Sequence, residues 1–195
     1  LMKAPVKGLP ALRDKPWPPL PHPRLSGPTD KLFATVAERD VLLHFPYHDF
    51  GMFLRWLTEA AHDPAVERIS ITLYRVAEGS AVCTTLLDAL RHGKQVTVFV
   101  EVQARFDEDA NLHWGDLLEK SGARVLYSYE NLKVHCKLCL VQRRESGRLK
   151  QYAFLGTATD ADHHRHRRCQ PKRTRTGNNQ HCNRCHERMS QSRFW

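Results

Sequence analysis

Asn131-Leu132-Lys133-Val134-His135-Cys136-Lys137-Leu138-Cys139-Leu140-Val141 reads as a buried strand that nevertheless carries a histidine and a lysine two residues apart. Side chains on a strand alternate faces, so His135 and Lys137 are expected on one side, with Val134, Cys136 and Leu138 joining a core on the other. Two basic groups on a face of an apolar strand cost desolvation unless a partner offsets it. An anion held beside a nucleophilic or proton-transferring imidazole is one such partner. An edge strand with both groups in solvent is the plain alternative.

Working outward, strands and helices alternate. Residues 50–61 carry apolar side chains at helical spacing, with Asp49 as the expected N-cap and Asp63-Pro64 as the stop. Ile69–Val76 alternates and is β-rich, so it is the first strand. Ser80 opens a helix that closes at His92-Gly93, and the apolar Gln95–Val102 is a strand covered on both faces. Asp107 caps a helix to Lys120, where its carboxylate and those of Glu108 and Asp109 favour the first turn. Arg124–Tyr127, the His135 stretch and Leu149–Leu155 complete the strands, the last two joined by a hairpin turn at Glu145-Ser146-Gly147. The expected fold is α/β: a layered mixed β-sheet flanked by helices, parallel in its crossover part.

The flanks differ in character. Residues 1–29 hold eight of the eleven prolines and read as an extended linker or arm. Residues 30–157 form the folded unit. From Ala158 onward aliphatic residues nearly vanish, with nine Lys/Arg against three Asp/Glu, so 158–195 is expected to be a disordered basic tail. Six of the nine net positive charges therefore lie in the tail, and the high pI is poor support for a nucleic-acid-binding domain. Six cysteines, three in core-like segments, show no secreted disulfide framework, and no apolar run of transmembrane length occurs. A cytoplasmic protein is expected, with peripheral membrane association left open. Leu1 in place of an initiator methionine suggests a piece of a longer chain.

Two arginines fall near the carboxyl ends of the first two strands, Arg75 and Arg105, where open α/β sheets favour ligands. With Lys137 they offer three permanent cations near His135, and guanidinium forks suit phosphate oxygens. His44, His48, His62 and His92 read as surface or loop groups.

Thr72-Leu73-Tyr74-Arg75-Val76-Ala77, Gln103-Ala104-Arg105-Phe106-Asp107-Glu108-Asp109-Ala110-Asn111 and Leu132-Lys133-Val134-His135-Cys136-Lys137-Leu138 resemble the signature blocks of polyphosphate kinase. Glu38–Tyr47 and Gly93–Val98 fit the same family in the same order. The resemblance implies a single phospholipase-D-like half, the first of two catalytic domains, preceded by a linker. It further implies that His135 is a nucleophile that becomes phosphohistidine, with Lys137 stabilising the transferring phosphoryl group. Arg75 and Arg105 match the family's magnesium–phosphate site. Arginine has no lone pair for a metal, so Mg²⁺ would be held by phosphates and water. ATP/ADP and inorganic polyphosphate are the implied partners, with no specific nucleic acid, and the family's homo-oligomers leave self-association open.

One departure from the phospholipase-D motif, which the polyphosphate kinases share, and one from the family itself shape the rival readings. Gln142 stands where a phospholipase-D motif has aspartate, which argues against a phosphodiesterase or nuclease. After Leu155-Gly156-Thr157 the resemblance stops inside a motif, as a frame shift would produce, and the second domain is missing. Turnover by this chain alone is therefore not expected, and an inactive fragment is a further reading. Cys182-Asn183-Arg184-Cys185 with flanking histidines offers only one clean Cys pair, so zinc binding by the tail is a minor alternative, as is nonspecific binding of nucleic acid.

Overall fold

Why the apolar runs become one sheet follows from how they pair. In a computed structural model that describes residues 18–27, 32–102, 108–129 and 134–156, five strands form a mixed sheet. The strands are β1 (Val66–Leu73), β2 (Gln95–Val100), β3 (Arg124–Tyr127), β4 (Lys137–Glu145) and β5 (Arg148–Gly156), in the order β3-β2-β1-β4-β5. β3, β2 and β1 run parallel, with Ile69 opposite Val96 and Val98 opposite Val125. β4 is antiparallel to both β1 and β5, with Ile71 opposite Cys139. The described residues all fall in the first of two units of the chain, Leu1–His164. The expected mixed sheet flanked by helices is the one observed.

Helices α1 (Leu32–Glu38), α2 (Gly51–His62), α3 (Ala81–Arg91) and α4 (Glu108–Lys120) flank it. Each of α2 and α3 drives one apolar stripe into the core, and Leu57, Ala60, Ala61, Cys83, Leu86 and Ala89 are fully buried with Ile69, Val98 and Val141. The Ser80 hydroxyl caps α3 by accepting from Cys83 N–H at 3.2 Å, as its sequence position predicts. Asp49 is not the N-cap of α2. Phe50 holds that position without a side-chain cap, and Asp49 instead accepts from Gly51 N–H at 2.9 Å. Gly93 and Gly122 follow helices with positive φ (74° and 99°), where a Cβ would be strained.

Helix α1 has no clear signature in the sequence. It is docked from a distance: the Glu59 carboxylate of α2 accepts from Leu32 and Phe33 N–H at 3.1 and 3.4 Å. Burial raises the Glu59 carboxyl above its usual range. Arg55 reaches the Leu25 carbonyl at 2.9 Å and so ties down the short 3₁₀ turn at Pro23–Leu25. At the hairpin, Glu145 accepts from Lys150, Tyr152 and Arg143, which holds its carboxyl down to about 2. Among the described residues no helix is long and apolar enough to cross a membrane. Residues 1–17 of the expected arm, and the expected tail at 158–195, lie outside the described residues.

Candidate functional site

Topology places three chain segments on one edge of the sheet. β1 and β2 are parallel and β4 opposes β1, so the ends of β1 and β2 meet the start of β4. The segment leaving β1 carries Tyr74 and Arg75, the one leaving β2 carries Glu101, and the one entering β4 carries Val134–Cys136.

Of the strand expected from residue 131, residues 131–133 lie outside the described residues, 134–136 are irregular, and β4 begins at Lys137. Pairing with β5 carries β4 to the Lys137–Gly156 pair, whereas on the β1 side Thr72 ends the ladder earlier. Its hydroxyl donates to the Cys136 carbonyl at 2.7 Å and accepts from Leu138 N–H at 2.9 Å. A side chain thereby replaces the backbone ladder beyond the Ile71–Cys139 pair, and His135 sits in the approach to the strand. The facing is also the reverse of the expectation. Lys137 shares its face with buried Cys139 and Val141, whereas Val134, Cys136 and Leu138 are half-buried.

Lys137 is only 2% exposed, so its cation needs nearby compensation. Its Nζ donates to the His135 carbonyl at 2.8 Å and sits 4.1 Å from the centroid of the Tyr74 ring, a cation–π distance. The His135 imidazole is exposed and meets the same Tyr74 ring edge-on at 5.0 Å. Arg75 is half-buried, with its guanidinium carbon 6.0 Å from the Tyr74 centroid. Tyr74 is thus the hub around which His135, Lys137 and Arg75 gather. Arg75 and Lys137 also line a narrow cleft with Phe53, Ile71, Ser80 and Phe154. Arg105 lies outside the described residues.

Three residues without an assigned role in the sequence hold this hub in place. Glu101, 1% exposed, accepts from Val134 N–H at 2.7 Å with one carboxylate oxygen and from the Ser128 hydroxyl at 3.0 Å with the other. Asn111 of α4, fully buried, donates to the carbonyls of Tyr74 and Glu101 at 2.9 and 2.8 Å and accepts from Val76 N–H at 3.0 Å. Thr72 is the third. A carboxylate closing an otherwise apolar strand was the available signal for Glu101, because a buried charge without paired donors is costly. Together they fix the segment before His135 and the segment after β1 against each other. Chemically, the site presents an accessible imidazole beside a fixed ammonium and a guanidinium, an arrangement suited to an anion with a transferable group.

Comparisons with known proteins agree with this reading of the fold. Residues 31–165 match the family model for polyphosphate kinase C-terminal domain 1. The chain is 47% identical over 125 residues to the polyphosphate kinase of Escherichia coli strain K12, covering 64% of this chain and 18% of that protein. It is 44% identical over 151 residues to the polyphosphate kinase of Mycobacterium leprae, covering 76% of this chain and 20% of that one. The crystal structure of polyphosphate kinase from Porphyromonas gingivalis superposes with a TM-score of 0.63 at 36% identity, over 80% of this chain and 26% of that one. The chain thus spans about a fifth of the length of the curated relatives it matches. A family model that covers most of the chain, together with this fold, establishes that the chain belongs to the polyphosphate kinase family.

Proposed function

We propose that this chain supplies the histidine half of a polyphosphate kinase site, in which the terminal phosphoryl group of ATP passes reversibly to inorganic polyphosphate through His135. The observation that carries it is the accessible His135 imidazole on a segment whose backbone carbonyl is held by the buried Lys137 ammonium. A neutral ring nitrogen attacks the terminal phosphorus, the N–P bond forms, the bond to the bridging oxygen breaks, and ADP departs. A terminal oxygen of polyphosphate then attacks the same phosphorus, the N–P bond breaks, and the imidazole is regenerated. Such transfer depends mainly on positioning and on charge stabilisation.

Lys137 and Arg75 supply the positive potential at the transferring oxygens, and the pinned backbone limits the reorganisation of His135. Arg105 is assigned to the same phosphate role from its sequence block. Arginine and lysine have no lone pair for a metal, and both Glu101 oxygens are engaged, so these residues fit a nucleotide that brings Mg²⁺ on its own phosphates. Bound that way, the ion neutralises phosphate charge. The reaction is placed in the cytoplasm, where ATP is available. A phosphodiesterase reading is not favoured, since Gln142 lies within β4 where that chemistry needs a carboxylate.

The test is a chimera in which residues 31–156 replace the matching segment of the Escherichia coli relative. ATP-dependent polyphosphate synthesis is expected, with loss on His135→Ala and a fall of two orders of magnitude or more on Lys137→Ala, in line with removal of an oxyanion donor. A folded chimera whose synthesis is unaffected by His135→Ala overturns the reading.

A further inference from the structure

At the opposite edge of the sheet, α2 and α3 end side by side. His62 closes α2, Asp88 and His92 close α3, and a ligand atom from each of the three lies within 4.8 Å of the others. His62 Nδ1 lies 2.8 Å from the Thr58 carbonyl and its Nε2 lies 2.9 Å from Asp88 Oδ2. Both ring nitrogens therefore face acceptors. With its proton on Nδ1 toward the Thr58 carbonyl, the ring turns its Nε2 lone pair to the carboxylate, and a metal ion between the two, once they open slightly, satisfies both. His92 Nδ1 lies 2.8 Å from the Asp88 carbonyl and 3.7 Å from Asp88 Oδ1; with its proton on Nδ1, Nε2 carries the lone pair. The two rings stand 4.5 Å apart.

We propose that His62, Asp88 and His92 bind a divalent transition ion of the zinc class, which clips the ends of α2 and α3 together. Three observations carry this. The donor set, two imidazoles and a carboxylate, is one that zinc takes, with the remaining position open to water. Each imidazole is oriented by a backbone carbonyl, the outer-shell contact that fixes the tautomer of metal-bound histidines. Two helix C-termini converge there, each carrying partial negative charge. Ligands about 2.1 Å from a tetrahedral ion sit roughly 3.4 Å apart. Small side-chain rotations reach that spacing: the His62–Asp88 pair opens from 2.9 Å, and the wider pairs, within 4.8 Å, close. Nearby, Lys94 is committed to the Asp63 carbonyl.

The test titrates Zn²⁺ alone into the full chain, comparing the unsubstituted protein with His62→Asn and His92→Asn. Cysteines and histidines elsewhere in the chain are common to all three, so the differences report on the cluster. A site formed only in the folded state also raises Tm, by about 5 °C at a hundredfold excess over Kd, whereas binding shared with the unfolded chain does not. Loss of one zinc equivalent, or a roughly hundredfold weaker site, together with loss of the Tm shift in both variants supports the proposal. Unchanged stoichiometry and unchanged Tm response overturn it. Should a variant fail to fold, side-chain ¹⁵N spectra of the unsubstituted chain decide: Zn²⁺-induced shifts at His62 and His92 support the site, and their absence overturns it.

Discussion

Removing the Glu101 carboxylate should loosen the segment that presents His135. In Glu101→Ala two acceptors vanish, leaving the Val134 amide and the Ser128 hydroxyl without the partners they have at 2.7 and 3.0 Å. A hydrogen bond to a charged acceptor contributes about 1.5–3 kcal/mol, so the pair sets a loss of about 3–6 kcal/mol. That is a third or more of the stability of an ordinary domain. With a urea m-value of about 2 kcal/mol/M, the midpoint should fall by roughly 1.5–3 M. Glu101→Gln should lose about half as much, because its amide keeps one acceptor but turns N–H toward a donor. Urea unfolding and amide exchange at Val134 measure both effects. The expected result is a graded loss of stability, Ala beyond Gln, with Val134 exchanging faster at concentrations where the rest of the sheet stays protected. A midpoint within about 0.3 M of the unsubstituted chain, or unchanged Val134 exchange, refutes the positioning argument.

Leu57→Ala, at a site with no exposed surface, should cost about 2–5 kcal/mol by thermal or urea unfolding, and a loss below 1 kcal/mol would show that the α2 face is not core. Gly122→Ala should cost about 1–2 kcal/mol because its φ of 99° strains an L-residue, and a stabilising effect would contradict the turn geometry. The hairpin cluster gives a pH dependence. Glu145 falls from 4.5 to about 2, so its contribution is complete above pH 4.5 and is lost as the pH falls toward 2. Tyr152 is pushed from 10.0 to about 12 by burial and by Glu145, so its contribution is complete below pH 10 and is lost as the pH rises toward 12. The stability gap between the unsubstituted chain and Glu145→Gln should therefore be flat from pH 5 to 9 and shrink below 4.5; a gap that persists at pH 2 is the contrary result.

Sequence patterns reach the elements whose cause is local. The Ser80 cap, the apolar β2 run and the glycine stops at 93 and 122 depend on neighbours in the chain, and each appears where the residues place it, with β2 ending two residues early at Val100. Helix α1 is missed because its docking comes from Glu59, 27 residues from Leu32. The β1–β4 ladder stops short of the expected start because Thr72, 64 residues away from Cys136, takes the Cys136 carbonyl with its hydroxyl. Alternation itself is kept, with Lys137 on the face of Cys139 and Val141, but that face and not the one of Leu138 is the buried one. At the site, the residue types at His135, Lys137 and Arg75 point to phosphate chemistry, but the Tyr74 hub and the Glu101–Val134 tether are products of packing between distant strands.

The central claim is that His135 carries the phosphoryl group. Mass spectrometry under alkaline conditions, on the chimera stopped during turnover with ATP, maps the covalent intermediate directly. The account predicts phosphate on the peptide that contains His135 and none on that peptide in His135→Ala. Phosphate found on another histidine while His135 stays unmodified would contradict it.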